Sequence, residues 1–125
     1  MPAPKYAPGR NIAIKVPPHE FDQTVAFYRD VLGFPELEDP ASGSTESVRF
    51  RFGDKVLWID RAPAMSQAEI WLEIETADIT AAAAHLGQNQ IVRCDAIEPL
   101  PASFKGFWLT SPANIVHLLS AAKLT

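Results

Sequence analysis

Apolar and polar residues alternate in two stretches of the chain, as they do in strands with one buried face. In NIAIKV (residues 11–16), Ile12, Ile14 and Val16 alternate with polar or small residues. In AEIWLEIE (residues 68–75), the same alternation puts three aliphatic residues on one face and a tryptophan with three glutamates on the other. Both stretches are therefore predicted to be β-strands.

Each predicted strand is followed by a segment with helical character. The first segment, PPHEFDQTVAFYRDVLGF, has apolar residues at helical spacing, with Asp22 as its predicted cap and Gly33 as its end. In the second, ITAAAAHLG, four alanines favour helix, with Asp78 as the predicted cap and Gly87 as the end. The pattern thus predicts one helix after each strand.

Each helix is followed by a predicted β-hairpin. The first is SVRFRFGDKVLWIDR, with its turn at Gly53 and Asp54, and the second is FKGFWLTSPANIVHLLS. A weak strand is predicted in PELED, and the Pro, Ser and Gly residues of DPASGST (39–45) predict a loop.

The order of strand, helix, weak strand and hairpin therefore occurs twice. The offset from Asn11 to Glu69 is 58 residues, and that from Trp58 to His117 is 59. A nearly constant offset indicates an internal repeat. Because each half has too little apolar surface to bury a core alone, we expect a single domain over 1–125. Its predicted parts are an extended N-terminal arm (1–8), module 1 (9–62) and module 2 (67–121).

Composition limits the class of protein. A chain of 125 residues with 47% hydrophobic and 21% charged residues is typical of one globular domain. It contains neither an apolar run of membrane-spanning length nor a secretory signal, so we expect a cytoplasmic protein without membrane contact. The single cysteine, Cys94, excludes an intrachain disulfide. A net charge of −4 with scattered basic residues argues against nucleic acid and favours a cationic or neutral small ligand.

The repeated unit resembles the vicinal oxygen chelate superfamily, which contains glyoxalase I enzymes, extradiol dioxygenases, fosfomycin-modifying enzymes and bleomycin resistance proteins. The helix VAFYRDVLGF and the hairpin TSPANIVHLLS carry this resemblance over about residues 9 to 120. The phrase PPHEFDQTVAFYRDVLGF is especially similar to the bleomycin resistance type. The resemblance implies an α+β fold of two βαβββ modules, with cupped mixed sheets around a cleft, and a homodimer.

The resemblance also implies four positions for metal ligands, which here are Asn11, Trp58, Glu69 and His117. Active members use three or four ligands from His, Glu and Gln to hold divalent iron, manganese, zinc or nickel. Glu69 and His117 suit such an ion, Asn11 offers only an amide oxygen, and Trp58 cannot bind one. The cofactor is therefore either absent or one divalent ion held by Asn11, Glu69 and His117.

His117 has three interpretations at this point. It is a ligand of that ion, or a ring packed between Ile115 and Leu119 that donates a hydrogen bond, or one half of a metal-free acid–base pair with Glu69. His19 and His85 are expected to be solvated surface residues.

Two functions follow from the resemblance. The first is a cleft protein of the bleomycin resistance type that sequesters a small aromatic or cationic molecule without metal. The second is a metal-dependent lyase, isomerase or dioxygenase in which Glu69 and His117 act at the reaction centre. In the first case the predicted ligand-binding residues are two stacking tryptophans, three acids and one amide, namely Trp58, Trp71, Asp60, Glu69, Glu73 and Asn11. Trp58, Trp71, Glu69 and His117 are expected to share one face.

Overall fold

The computed structural model describes residues 3–38 and 46–123, so the predicted loop at 39–45 lies outside them. Two α-helices occur in the described ranges, α1 (Pro18–Ala26) and α2 (Ile79–Gln88). α1 continues as a π-helical turn, Phe27–Val31, and a short 3-10 helix covers Asp95–Ile97. The strands are β1 (Tyr6–Val16), β2 (Glu36–Leu37), β3 (Ser47–Phe52), β4 (Lys55–Arg61), β5 (Glu69–Thr76), β6 (Val92–Arg93), β7 (Gly106–Thr110) and β8 (Val116–Ala121).

The chain divides into two compact units with the same strand order. The N-terminal unit is residues 10–71, and the C-terminal unit is residues 3–9 with 72–123. The order is β2-β3-β4-β1 in the first and β5-β8-β7-β6 in the second. In each, the first and last strands of the module pair in parallel and the other pairs are antiparallel. The predicted α+β fold of two βαβββ modules is confirmed.

The core of the N-terminal unit lies between α1 and one face of the sheet. Val16 is 1% exposed, and Ile12 and Ile14 pack on the same cluster, as the alternation in β1 predicts. The other buried members are Phe21, Val25, Phe50, Leu57 and Ile59. Each such side chain contributes about 1.5–3 kcal/mol on burial.

The core of the C-terminal unit covers only part of the apolar face of β5. Its buried members are Ala82, Phe107, Leu109 and Leu119, and Ile74 packs against them. Leu72, two residues earlier on β5, is 37% exposed, and Ile70 is 52% exposed. Since α2 begins directly after the Thr76 end of β5, it covers that end of the strand.

Two of the predicted helix boundaries differ from the structure. α1 begins at Pro18, where the fixed φ of proline suits the first turn, so Asp22 lies inside the helix and caps nothing. The predicted cap of α2 is correct, because Oδ1 of Asp78 accepts a hydrogen bond from the Ala81 N–H at 3.0 Å. Gly87 lies within α2 and does not end it.

β1 begins at Tyr6, within the segment that is predicted to be an extended arm. The Lys5 carbonyl accepts a hydrogen bond from the Thr76 hydroxyl at 2.8 Å, and the Tyr6 hydroxyl lies 2.9 Å from Nδ1 of His85. His85 is therefore half-buried and bonded to β1, not a solvated surface residue. None of the helices in the described ranges is long and apolar enough to cross a membrane.

Candidate functional site

The N-terminal unit presents a mixed polar surface on the sheet face opposite its core. Strand register and alternation put every second residue of three neighbouring strands there. We call this surface the polar face. It consists of Asn11, Ala13 and Lys15 of β1, Val56, Trp58 and Asp60 of β4, and Ser47, Arg49 and Arg51 of β3.

Two of the residues that the resemblance assigns to a metal are bonded to each other. The indole Nε1 of Trp58 donates a hydrogen bond to Oδ1 of Asn11 at 2.7 Å. Both side chains are half-buried. The one oxygen that Asn11 would offer a metal therefore already accepts a strong donor, and the Trp58 N–H is satisfied.

A cationic side chain of the protein lies over the ring of Trp58, and another lies over the ring of Trp71. The Arg49 guanidinium carbon lies 5.2 Å from the ring centroid of Trp58, directly across the β3–β4 pair. Nζ of Lys15 lies 4.3 Å from the ring centroid of Trp71. Both distances are within cation–π range.

Lys15 is also half of a largely buried ion pair. Its Nζ lies 2.7 Å from Oδ2 of Asp60, and the two side chains are 9% and 14% exposed. The Ser47 hydroxyl donates to Oδ1 of the same carboxylate at 2.7 Å. The negative charge of Asp60 is thus matched inside the protein.

Glu69 and Trp71 form a second indole–oxygen pair. The Trp71 indole N–H donates to Oε1 of Glu69 at 3.0 Å. Trp71 is only 4% exposed, whereas Glu69 is exposed. Trp71 is therefore packed under Lys15 and offers little surface for stacking.

His117 does not lie on the face that the sequence pattern predicts. It pairs with Leu72 of β5 and Leu109 of β7, and in the same register Leu119 pairs with Ile74. His117 therefore shares the core face of its sheet, while Glu73 and Leu118 point to the opposite face. Nδ1 of His117 lies 2.9 Å from the Ile115 carbonyl, to which it donates because a carbonyl can only accept.

Glu73 lies in the C-terminal unit and is half-buried. It accepts a hydrogen bond from the Ser120 hydroxyl at 3.2 Å. A side chain at Gly9 would collide with the methylenes of Glu73, so this close approach requires glycine.

The donor set at these positions does not fit the divalent ion that the resemblance in sequence implies. The amide oxygen of Asn11 and one carboxylate oxygen of Glu69 accept indole N–H groups, and Trp58 offers a donor where a ligand is required. Within residues 3–38 and 46–123, no three His, Cys, Asp or Glu side chains gather closely enough to hold a metal ion.

The predicted ligand-binding residues do not include Lys15 and Arg49, the two residues that contact the tryptophan rings. The signal was present in both cases. Lys15 is the charged residue on the polar side of NIAIKV, and Arg49 alternates with apolar residues in SVRFRF. Their partners lie 56 and 9 residues away along the chain, so only strand pairing identifies them.

Neither a family model nor a curated protein matches this chain. Solved structures match its fold. The Mn(II)-bound glyoxalase from Novosphingobium aromaticivorans has a TM-score of 0.65 at 18% identity over 98% of this chain and 43% of its own. Homoprotocatechuate 2,3-dioxygenase from Arthrobacter globiformis has a TM-score of 0.62 at 17% identity over 98% of this chain and 38% of its own.

A hypothetical protein from Bacillus halodurans C-125 matches along its whole length. Its TM-score is 0.63 at 14% identity, over 97% of each chain. The present chain thus spans about two fifths of the two enzyme chains but nearly all of this protein. At these identities the likeness establishes the fold, while activity must be argued from the residues.

Proposed function

We propose that this protein, which has the fold of the vicinal oxygen chelate superfamily, binds a small aromatic molecule on its polar face without a resident metal ion. The fold predicted from residues 9–120 is confirmed by the glyoxalase and dioxygenase structures. The bleomycin resistance type stays a prediction, and sequestration of the ligand is part of the proposal.

The observation that carries the proposal is the hydrogen bond between Trp58 and Asn11 at 2.7 Å. It satisfies a half-buried indole N–H with the oxygen that a metal would need. It also fixes the orientation of the Trp58 ring on the polar face. Small-molecule sites use aromatic side chains for contact area and a few placed polar groups for orientation, and the polar face offers both kinds of group.

Trp58 is the aromatic residue that we expect to contact the ligand. It is half-buried, whereas Trp71 is 4% exposed and lies under Lys15. Among the acids expected to attract a cation, Asp60 is paired with Lys15 and Glu69 accepts a bond from Trp71. These contacts support a role for aromatic stacking and assign less weight to attraction of a cation.

Metal analysis tests the metal-free part of the proposal. Untagged protein is incubated with iron, manganese, zinc or nickel, desalted and measured by elemental mass spectrometry, alongside Glu69→Gln and His117→Ala. We expect far less than one metal ion per chain in all three proteins. Near-stoichiometric metal that disappears in either variant would contradict the proposal and support a metal-dependent enzyme.

Ligand titration tests whether the polar face binds a small aromatic molecule. A set of small aromatic compounds is titrated into wild type and Trp58→Leu, with Trp108→Phe as the control. The Trp108 indole donates to the Glu98 carbonyl at 2.9 Å and the ring is 7% exposed, so it is expected to play no part in binding. Binding that survives Trp58→Leu unchanged would overturn the assignment of this face.

A further inference from the structure

The charge of the polar face is opposite in sign to that of the whole chain. Of its nine positions, three are cationic, namely Lys15, Arg49 and Arg51, and one is acidic, Asp60, which gives a formal charge of +2. Including Glu69, which bonds to Trp71 beside Lys15, leaves +1. The chain as a whole has a net charge of −4. A locally positive surface on an acidic protein raises the local concentration of anions.

Three groups that would attract a cationic ligand here already have cationic partners, namely Trp58, Trp71 and Asp60. Lys15 occupies the ring face of Trp71 and the carboxylate of Asp60, at 4.3 and 2.7 Å. Arg49 lies over Trp58. A cationic ligand would have to displace a cation of the chain from a ring or from a largely buried carboxylate. That exchange yields little net attraction.

The two arginines are placed to recognise an anion next to an aromatic ring. Arg49 and Arg51 are two residues apart on β3, so their side chains leave the same face about 7 Å apart. A guanidinium binds a carboxylate through two parallel N–H donors and also stacks on planar rings. Arg49, over Trp58, therefore combines both kinds of contact at one position.

We infer that the ligand is an aromatic anion, with a planar ring that contacts Trp58 and Arg49 and a carboxylate that pairs with Arg49 and Arg51. This inference rests on the proposed function, because it assigns the ligand to the same polar face. It replaces the cationic ligand expected from the net charge of the chain. The deciding quantity is the charge of this face and not that of the protein.

A matched series of probes tests the inference by isothermal titration calorimetry. The probes are naphthalene-2-carboxylate, naphthalene-2-carboxamide, naphthalen-2-ylmethylammonium and cyclohexanecarboxylate. They differ in charge at a constant ring, or in ring at a constant charge. We expect the naphthoate to bind about ten-fold more tightly than each of the others. Arg49→Gln should remove this preference, because it should weaken the binding of the naphthoate more than that of the amide.

Arg29→Gln is the matched control. Arg29 is an exposed arginine on the π-helical turn, where it pairs with Asp30 at 3.1 Å. Removal of this charge should leave naphthoate binding unchanged, whereas Arg51→Gln should weaken it several-fold. Circular dichroism melting of every variant separates lost binding from lost folding.

The possible outcomes distinguish the two proposals. Tightest binding by the amide or the ammonium, still lost in Trp58→Leu, would overturn the anion inference and keep the proposed function. If cyclohexanecarboxylate binds as tightly as the naphthoate, an aromatic ring is not required, and both the proposed function and the anion inference lose their aromatic ligand. Binding that requires an added metal ion would overturn the proposed function. If no probe binds at millimolar concentration, the aromatic-anion class is wrong.

Discussion

The indole N–H of Trp58 donates a hydrogen bond to the side-chain oxygen of Asn11 at 2.7 Å. The two residues lie on neighbouring parallel strands, on the face of the sheet away from the core. Both occupy positions that the resemblance assigns to metal ligands. Their mutual bond satisfies one donor and one acceptor that would otherwise need water or a ligand when half-buried. Two predictions concern the polar face directly.

Removal of the Asn11 side-chain acceptor should shift the Trp58 indole N–H signal and lower the stability modestly, without changing the fold. Asn11→Leu leaves the N–H without its partner, and we expect a loss of about 1 kcal/mol in the free energy of unfolding. Asn11→Asp keeps an acceptor oxygen and serves as the control. Urea denaturation measures the stability. The Trp58 indole signal in a ¹H–¹⁵N spectrum should move upfield in Asn11→Leu, and a signal that does not move would contradict the bond.

Removal of one partner of the Lys15–Asp60 ion pair should lower the free energy of unfolding strongly. Its side chains are 9% and 14% exposed, so Lys15→Met leaves a largely buried carboxylate that keeps the Ser47 hydrogen bond but loses its cationic partner. We expect a loss of about 3 kcal/mol for this change. The double variant Lys15→Met, Asp60→Leu should recover much of it, because no charge stays buried. Double-variant stability no better than that of Lys15→Met would show that the ion pair is not the cause.

Two glycine-to-alanine changes should alter the free energy of unfolding in opposite directions. At Gly106 an added Cβ would collide with the backbone carbonyl of Leu119 across the β7–β8 pair, while at Gly87 it would meet nothing within 4 Å. Gly106→Ala should therefore lower the free energy of unfolding by about 2 kcal/mol or more, as overpacking of a tight contact does. Gly87→Ala, inside α2, should stabilise by about 0.5–1 kcal/mol. Thermal melting of the two variants compares them directly.

The fold was predictable because it depends on patterns that repeat along the chain. Alternation in NIAIKV and AEIWLEIE identified β1 and β5, and Asp78 identified the start of α2. The face predicted for His117 was wrong, because the offset between the two halves is not constant. His117 lies 59 residues after Trp58, whereas Glu69 lies 58 residues after Asn11. Because side chains alternate between the two faces of a strand, this shift of one residue puts His117 on the face opposite to the one predicted.

The contacts of the candidate site were less predictable than its strands. Asn11, Trp58 and Asp60 are site residues predicted from the resemblance or from their residue type. Their partners are set by register, which places Lys15 beside Asp60 and Arg49 beside Trp58. The net charge of −4 is a sum over the chain and does not describe the formal charge of the polar face.

Cys94 should be a slow nucleophile. Burial, and secondarily the charge of Asp95, raises the pKa of its thiol above the ordinary 9.0. The folded state therefore holds this proton more tightly than the unfolded chain, and its contribution to stability is lost as pH rises through the folded pKa. The rate of iodoacetamide alkylation against pH should have its midpoint above 9.0. Asp95→Asn should lower that midpoint, and a wild-type midpoint at or below 9.0 would contradict the prediction.

We propose that the protein forms a homodimer, and one exposed apolar stretch supports this. Phe27, Val31 and Leu32, at the end of the first helical segment, are 46%, 73% and 45% exposed. Several large apolar side chains exposed within six residues favour an interaction site. Light scattering after size exclusion should therefore give twice the chain mass of 13.7 kDa, and Val31→Glu should give the monomer.

Val92→Glu is the matched control for the dimer, because Val92 is 64% exposed and lies on β6 of the other unit. The charge it introduces is the same, and so is the residue it replaces. If it leaves the dimer intact while Val31→Glu dissociates it, the contact involves the stretch from Phe27 to Leu32. Dissociation by Val92→Glu alone would place the interface on β6, and a monomeric wild type would contradict the homodimer itself.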